Sequence, residues 1–436
     1  MELRKPSWTK RDLLQSTSMD PFISNLSGKN IQQMASNFLP YYSTLISKAG
    51  SILSEETLTS IQKALQGGKM EDLVGIIQKS LELAENASLD VAVIGESGTG
   101  KSSFINALRG LSPEEEGSAS VGAVETTLKK TPYKHPKYSN VTFWDLPGTG
   151  TPNFFPETYL EKVEFANYDF FIIISSSRFK LNEAVLAQKI KEKGKNFYLV
   201  RSKVDSDLYN EEKSRPRSFK KDRVLHHIRD NCLENLSDIG VSEPHIFLIS
   251  NFDRTDFDFP SLEETLLKEL PAHKRHTFAL LLPGLSEAAI ELKRDFIKEK
   301  IWLEALKSAA LALFSFMPMI SGFDLPEQEK CLRLYQSYFG LDDKSLNEIA
   351  ENLGISVQDI KSSMKSLNFW LLVKDDSIAA NALQCVESYC SKSGGIPSTV
   401  FQLFKTYFIQ LKFLNAVADD AKLLLQKTLE CCSGRE

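Results

Sequence analysis

The stretch Val91–Gly110, VAVIGESGTGKSSFINALRG, decides the fold. An apolar run without alternation leads into a glycine-rich turn, a lysine and then helical spacing. Gly95-Glu96-Ser97-Gly98-Thr99-Gly100-Lys101-Ser102 fits G-x-x-x-x-G-K-[ST] at every fixed position. Gly95, Gly98 and Gly100 let backbone N–H groups turn inward around phosphates, where a Cβ would obstruct them. Lys101 supplies positive charge to the β- and γ-phosphates, and Ser102 offers a hydroxyl to Mg2+. The helix starting near Lys101 adds the positive end of its dipole. The strand pattern of DVAVIG before the turn and the helical SSFINALRG after it separate a phosphate loop from a chance glycine-rich turn.

A second motif ends the next strand pattern, VTFWDLPGTG, where Asp145 and Gly148 form D-x-x-G. Asp145 would hold Mg2+ through water, and the Gly148 N–H would sense the γ-phosphate. A third, FYLVRSKVDSD, ends a strand with Ser202-Lys203-Val204-Asp205. Asp205 can accept hydrogen bonds from N1 and N2 of guanine, whereas adenine offers no such donor pair and leaves the carboxylate unpaired. The Lys203 stem can lie over the base, and IFLISN adds Ser250 and Asn251 as a base-contacting loop. In this order the motifs point to GTP/GDP with Mg2+. Thr149 stands where small signalling GTPases place a water-orienting glutamine, so efficient hydrolysis needs groups from switch I or from a second molecule.

The chain of 436 residues is long for one core, which implies two or three domains. With 42% hydrophobic and 25% charged residues it reads as ordinary globular protein. A net charge of −5 argues against nucleic acid as a partner. The six cysteines show no zinc-site spacing and read as reduced thiols. Residues 1–18 have no apolar core, which excludes a secretory signal, and read as a disordered leader. Residues 19–87 have helical periodicity, with Ser54 as a helix cap and Gly67-Gly68 as a stop. Residues 88–282 alternate apolar strands with amphipathic helices, the pattern of a mostly parallel sheet. Residues 283–436 are helical again. The expected fold is α/β: a P-loop GTPase domain inserted in an all-α domain formed by the two flanking segments.

Six blocks, GESGTGKSSFINALRG, FWDLPGTGTPNF, YDFFIIISSSRF, RSKVDSDLYNE, IFLISN and ELPAHKRH, resemble the immunity-related GTPases, in particular their GKS class and its D-type branch. These are interferon-inducible, dynamin-like proteins of cell-autonomous innate immunity, and the resemblance runs from about Met19 to the C-terminus. It implies nucleotide contacts at Gly98, Gly100, Lys101, Ser102 and Ser103, a switch I contact at Gly122, and base contacts at Lys203, Asp205 and Ser206. Glu125 matches the switch I glutamate that relatives use in a nucleotide-facing dimer. Val121 stands where relatives carry a threonine before Gly122, so the resemblance does not carry a direct Mg2+ ligand over to this position, while Thr126 and Thr127 lie nearby in the sequence. The resemblance further implies a cytoplasmic protein that forms homo-oligomers through its GTPase domain and pairs with other family GTPases. It would associate peripherally with intracellular membranes: endoplasmic reticulum, Golgi and pathogen-containing vacuoles.

Other features carry plainer readings. Ser308–Gly322 is too short to span a bilayer and reads as a buried helix, with membrane insertion as the alternative. HKRH, His273–His276, reads as a solvated hinge segment, and His226-His227 as the surface of an amphipathic helix. The alternative to a GTP-hydrolysing enzyme is a GTP-switched scaffold with negligible hydrolysis, favoured by Val121 and Thr149.

Overall fold

The computed structural model describes residues 39, 42–43, 51–121, 129–148, 155–176, 181–238, 240–241, 243–253, 257–281, 286–314, 325–373 and 398–433. The chain divides into two compact units, Glu85–Ala289 and the flanking Met1–Ala84 with Ile290–Glu436.

In chain order, helices α1 (Glu55–Gln66) and α2 (Met70–Asn86) lead to strand β1 (Leu89–Ile94) and helix α3 (Lys101–Arg109). Strands β2 (Thr131–Lys134) and β3 (Val141–Asp145) follow, then α4 (Pro156–Lys162), β4 (Phe170–Ser175), α5 (Leu181–Glu192) and β5 (Asn196–Arg201). Next come α6 (Val204–Ser214), α7 (Lys221–Ser237), β6 (Ile246–Leu248), α8 (Phe259–Glu269) and α9 (Ala272–Leu281). The remaining described elements are helices: α10 (Glu287–Phe314), α11 (Leu325–Tyr338), α12 (Asp343–Leu353), α13 (Val357–Ser362), α14 (Phe369–Val373) and α15 (Ser398–Ser433).

The six strands form one sheet in the order β2-β3-β1-β4-β5-β6. All neighbours are parallel except β2 and β3. Every residue of β4 is buried, as a strand covered on both faces requires. Ala92, Ile94, Phe171, Ile173 and Leu199 pack with Leu160, Ala187 and Cys232 in one cluster, while Phe104 meets Phe259, ring centroids 6.1 Å apart. Because β1 pairs with β3 on one side and β4 on the other, connections leave it in opposite directions. The gap outside its C-terminal end is the topological switch point of the sheet.

Strand β2 goes beyond the sequence expectation. TPYK is short and contains a proline, and it is tolerated because it lies at the sheet edge, antiparallel to β3. HKRH lies within α9 rather than in an open hinge, and Lys274 forms an ion pair of 2.6 Å with Asp169. Among the described residues no helix is long and apolar enough to cross a membrane.

In the helical unit the Ser54 side chain accepts the Thr57 N–H and Gly67 ends α1, while Gly68 takes a left-handed turn (φ 64°). The buried Glu299 carboxylate, on α10, collects distant donors: the Tyr42 hydroxyl, the Ser51 hydroxyl at 2.6 Å and the Ile52 N–H at 3.0 Å. Burial pushes its carboxyl above the ordinary range, against the lowering effect of those donors. The folded unit therefore holds a proton that the unfolded chain releases near pH 4.3, roughly. Stability contributed here is present below that value and falls as pH rises through the higher folded value. We expect Glu299→Gln, which does not ionise, to flatten this decline. Amide exchange at Ile52 and Leu53 across the acid range checks it.

Candidate nucleotide site

The phosphate loop leaves β1 at the switch point and is shaped by contacts that exclude side chains. A Cβ on Gly95 would lie 2.2 Å from the Ile174 carbonyl oxygen of β4. Gly100, the N-cap of α3, sits at φ 89°. The Lys101 ammonium is buried and donates to the carbonyls of Gly95 at 3.1 Å and Glu96 at 3.0 Å, across the loop. Ser102 and Ser103 follow on the first turn of α3, half-buried.

Strand register brings the D-x-x-G segment alongside. Val93 pairs with Asp145, and the Leu146 N–H donates to the Val93 carbonyl at 3.0 Å. Asp145 is 1% exposed, and its Oδ2 accepts the Ser102 hydroxyl at 3.1 Å. Gly148 lies three residues on, half-buried. The Tyr159 hydroxyl donates to the Pro147 carbonyl at 2.8 Å. Burial raises the Tyr159 pKa, with smaller contributions from Tyr168 and Asp145, so the hydroxyl stays protonated as a donor.

The third segment locks onto the first. Ser202 Oγ donates to the Thr99 carbonyl at 2.6 Å, and Lys203 Nζ to the Gly98 carbonyl at 2.8 Å. Asp205 is half-buried and Ser206 exposed on the first turn of α6. Asn251 Nδ2 donates to the Gly100 carbonyl at 3.2 Å. Ser250 is used differently: its hydroxyl accepts the N–H groups of Phe252 and Asp253, at 3.2 and 3.3 Å, and fixes the turn that presents Asn251.

The structure thus brings together Gly95, Gly98, Gly100, Lys101, Ser102, Ser103, Asp145, Gly148, Lys203, Asp205, Ser206, Ser250 and Asn251 at one edge of the sheet. Gly122, Glu125 and Thr149 lie outside the described residues, and Val121 is 50% exposed.

Two residues on α3 escaped the motif reading. Asn106 pairs with the Ala119 backbone in both directions, at 2.9 and 2.7 Å. Arg109 donates to the carbonyls of Gly117 at 2.9 Å and Lys134 at 3.0 Å. The available signal was two polar residues, three apart, on the otherwise apolar FINALRG helix.

Ser102 and Asp145 offer oxygen donors only, which suits a hard cation that keeps waters and takes its other ligands from phosphates. Among the described residues no cluster of three or more His, Cys, Asp or Glu side chains forms a protein-only metal cage.

We expect Gly95→Ala to destabilise the Glu85–Ala289 unit by more than about 2 kcal/mol, because backbone must move to admit the methyl group. Gly98→Ala meets open space, and only its φ of 77° opposes it, so it should cost about 1 kcal/mol. Thermal unfolding of the two variants separates these outcomes.

The chain is similar to known GTPases. The family model described as Interferon-inducible GTPase (IIGP) matches residues 54–428. Interferon-gamma-inducible GTPase 10 of Mus musculus is 46% identical over 396 residues, covering 90% of this chain and 94% of that one. Interferon-inducible GTPase 1 of Mus musculus is 39% identical over 407 residues, covering 93% and 98%. Among solved structures, Era in complex with MgGDPNP and a 16S ribosomal RNA fragment aligns at 18% identity and a TM-score of 0.30. It covers 50% of this chain and 67% of that one, too slight a likeness to add to the fold described above. A family match over most of the length, on a chain with this phosphate loop, identifies the protein as a member of the interferon-inducible, immunity-related GTPases, an enzyme that binds guanine nucleotide and hydrolyses GTP.

Proposed function

We propose that this GTPase is Mg2+-dependent, assembles with copies of itself and with other family GTPases when GTP-bound, and acts on intracellular membranes. The membranes include those of pathogen-containing vacuoles, and the setting is cell-autonomous innate immunity. The protein is cytoplasmic and peripherally attached. Residues 88–282 form the GTPase domain, and 19–87 with 283–436 form the helical domain.

The observation that carries the reading is the 3.1 Å approach of Ser102 Oγ to Asp145 Oδ2 beside the buried Lys101 ammonium. One group offers a hydroxyl, one a carboxylate and one a cation, and together they match a metal-bound triphosphate. Ser102, and Asp145 through water, would hold Mg2+, which would supply charge neutralisation to the phosphates. Lys101 exchanges the Gly95 and Glu96 carbonyls for the β- and γ-phosphates, and the Gly148 N–H follows the γ-phosphate. Lys203 covers the base, Asp205 reads its N1 and N2 donors, and Ser206 and Asn251 flank it. Ser103 and Gly122 complete the nucleotide contacts.

Thr149 cannot reach as a glutamine would, so the water-positioning group comes from a partner molecule, with Glu125 near the shared face. The relatives named as interferon-inducible and immunity-related support the biological setting.

Lys101→Ala should lower GTP affinity by about 2–4 kcal/mol, the worth of a charge-assisted phosphate contact. The helical unit should keep its melting behaviour. Calorimetry with GTP checks the first point, and unchanged affinity removes the phosphate-loop assignment.

Specific activity should rise with protein concentration, and Glu125→Ala should flatten that rise while sparing GDP binding. Constant specific activity across about a hundredfold range spanning the dimerisation Kd contradicts the assembly proposal.

A further inference from the structure

Strand β5 passes into helix α6 through a turn with little intrinsic support. Lys203 takes a left-handed conformation, φ 59°, without being glycine, and no side chain caps the first turn of α6. Such a conformation persists only where surrounding contacts fix it. Some come from the phosphate loop: Ser202 Oγ to Thr99 and Lys203 Nζ to Gly98. These hold the start of the turn, and the Val204 N–H, donating to the Ile249 carbonyl at 3.3 Å, ties down the first helical residue.

Arg201, the last residue of β5, reaches across. Its side chain is 7% exposed; Nη1 donates to the Ser202 carbonyl at 2.6 Å and Nη2 to Asp207 Oδ2 at 2.5 Å. One planar guanidinium therefore grips the backbone before the turn and a carboxylate on the helix after it. Asp205 lies between these two grips, two residues before Asp207. Burial raises the Asp207 carboxyl and the nearby Asp205 charge adds to that, while Arg201 opposes both.

We propose that Arg201 is a positioning residue for base recognition: gripping Asp207, it sets the first turn of α6 so that the Asp205 carboxylate meets guanine. The proposal rests on the reading of Asp205 as the base contact. Neither Arg201 nor Asp207 is a fixed position of the S-K-x-D segment. Arg201 is buried whereas Asp207 is 34% exposed, so removing Asp207 leaves a buried guanidinium without its carboxylate.

Comparing GDP with IDP isolates the effect. Hypoxanthine keeps the N1 donor and lacks the 2-amino group, so the ratio of Kd values, IDP over GDP, reports how well Asp205 is aligned. For the full chain, Asp207→Ala and Arg201→Lys should each lower this ratio by about fivefold, the size of coupling between contacting residues. Asp207→Asn, whose amide oxygen still accepts from Arg201, should fall between them and the unaltered protein. The double variant Arg201→Lys/Asp207→Ala should lose little more than either single one.

If GDP and IDP affinities drop together and the ratio stays within about twofold, the pair only supports the fold and the proposal is overturned. Asp205→Asn separates the underlying reading, since it must abolish the preference for GDP over IDP and favour XDP. If it does not, the base assignment itself fails, whatever the Arg201 variants do. Asp207 is partly solvent-exposed, so its variants remain measurable should Arg201→Lys fail to fold.

Discussion

Three carbonyls of the phosphate loop are held by side chains from the opposite side of the site. Lys203 takes Gly98, Ser202 takes Thr99, and Asn251 takes Gly100. A peptide group is planar, so a carbonyl fixed in one direction fixes the next N–H in the other. The N–H groups of Gly100 and Lys101 are thereby turned away from the segments that follow β5 and β6, the orientation a phosphate cradle needs. The loop is thus aimed partly from outside, by residues that follow β5 and β6 more than 100 positions along the chain. The turn after β5 and the segment after β6 are thus joined directly to the phosphate loop through hydrogen bonds of 2.6–3.2 Å.

Much of the sheet was legible because burial on both faces leaves a mark in composition. DVAVI, FFIIIS and FYLVR have no polar face to alternate, and each became a central strand. Strand β2 left no such mark: TPYK alternates between half-buried and exposed, and its pairing depends on β3 being there first. The residues of the phosphate loop were legible for a different reason, since their chemistry constrains type and spacing together. Asn106, Arg109, Tyr159 and Arg201 were not, because each acts on a backbone carbonyl. A carbonyl is available at every position, so such contacts impose no spacing that a sequence can display.

The helical unit follows another logic. Its local features, the Ser54 cap and the Gly67 stop, are short-range and could be read directly. Among the contacts that join its two chain segments is Glu299 with Tyr42, Ser51 and Ile52, about 250 residues apart in sequence. A glutamate among the lysines and other glutamates of α10 looks like any solvated residue. Its burial becomes intelligible only once the donors that surround it are known.

Arg109 gives the region between the motifs its boundary. One guanidinium bonds Gly117 on one side and Lys134 on the other, while Asn106 holds Ala119. Both side chains belong to α3, the helix whose first residues are Lys101 and Ser102. Gly117, Ala119 and Lys134 are therefore all tied to the helix that begins at the phosphate loop. A shift of α3 against β3 would alter both the Ser102–Asp145 distance and these tethers at once.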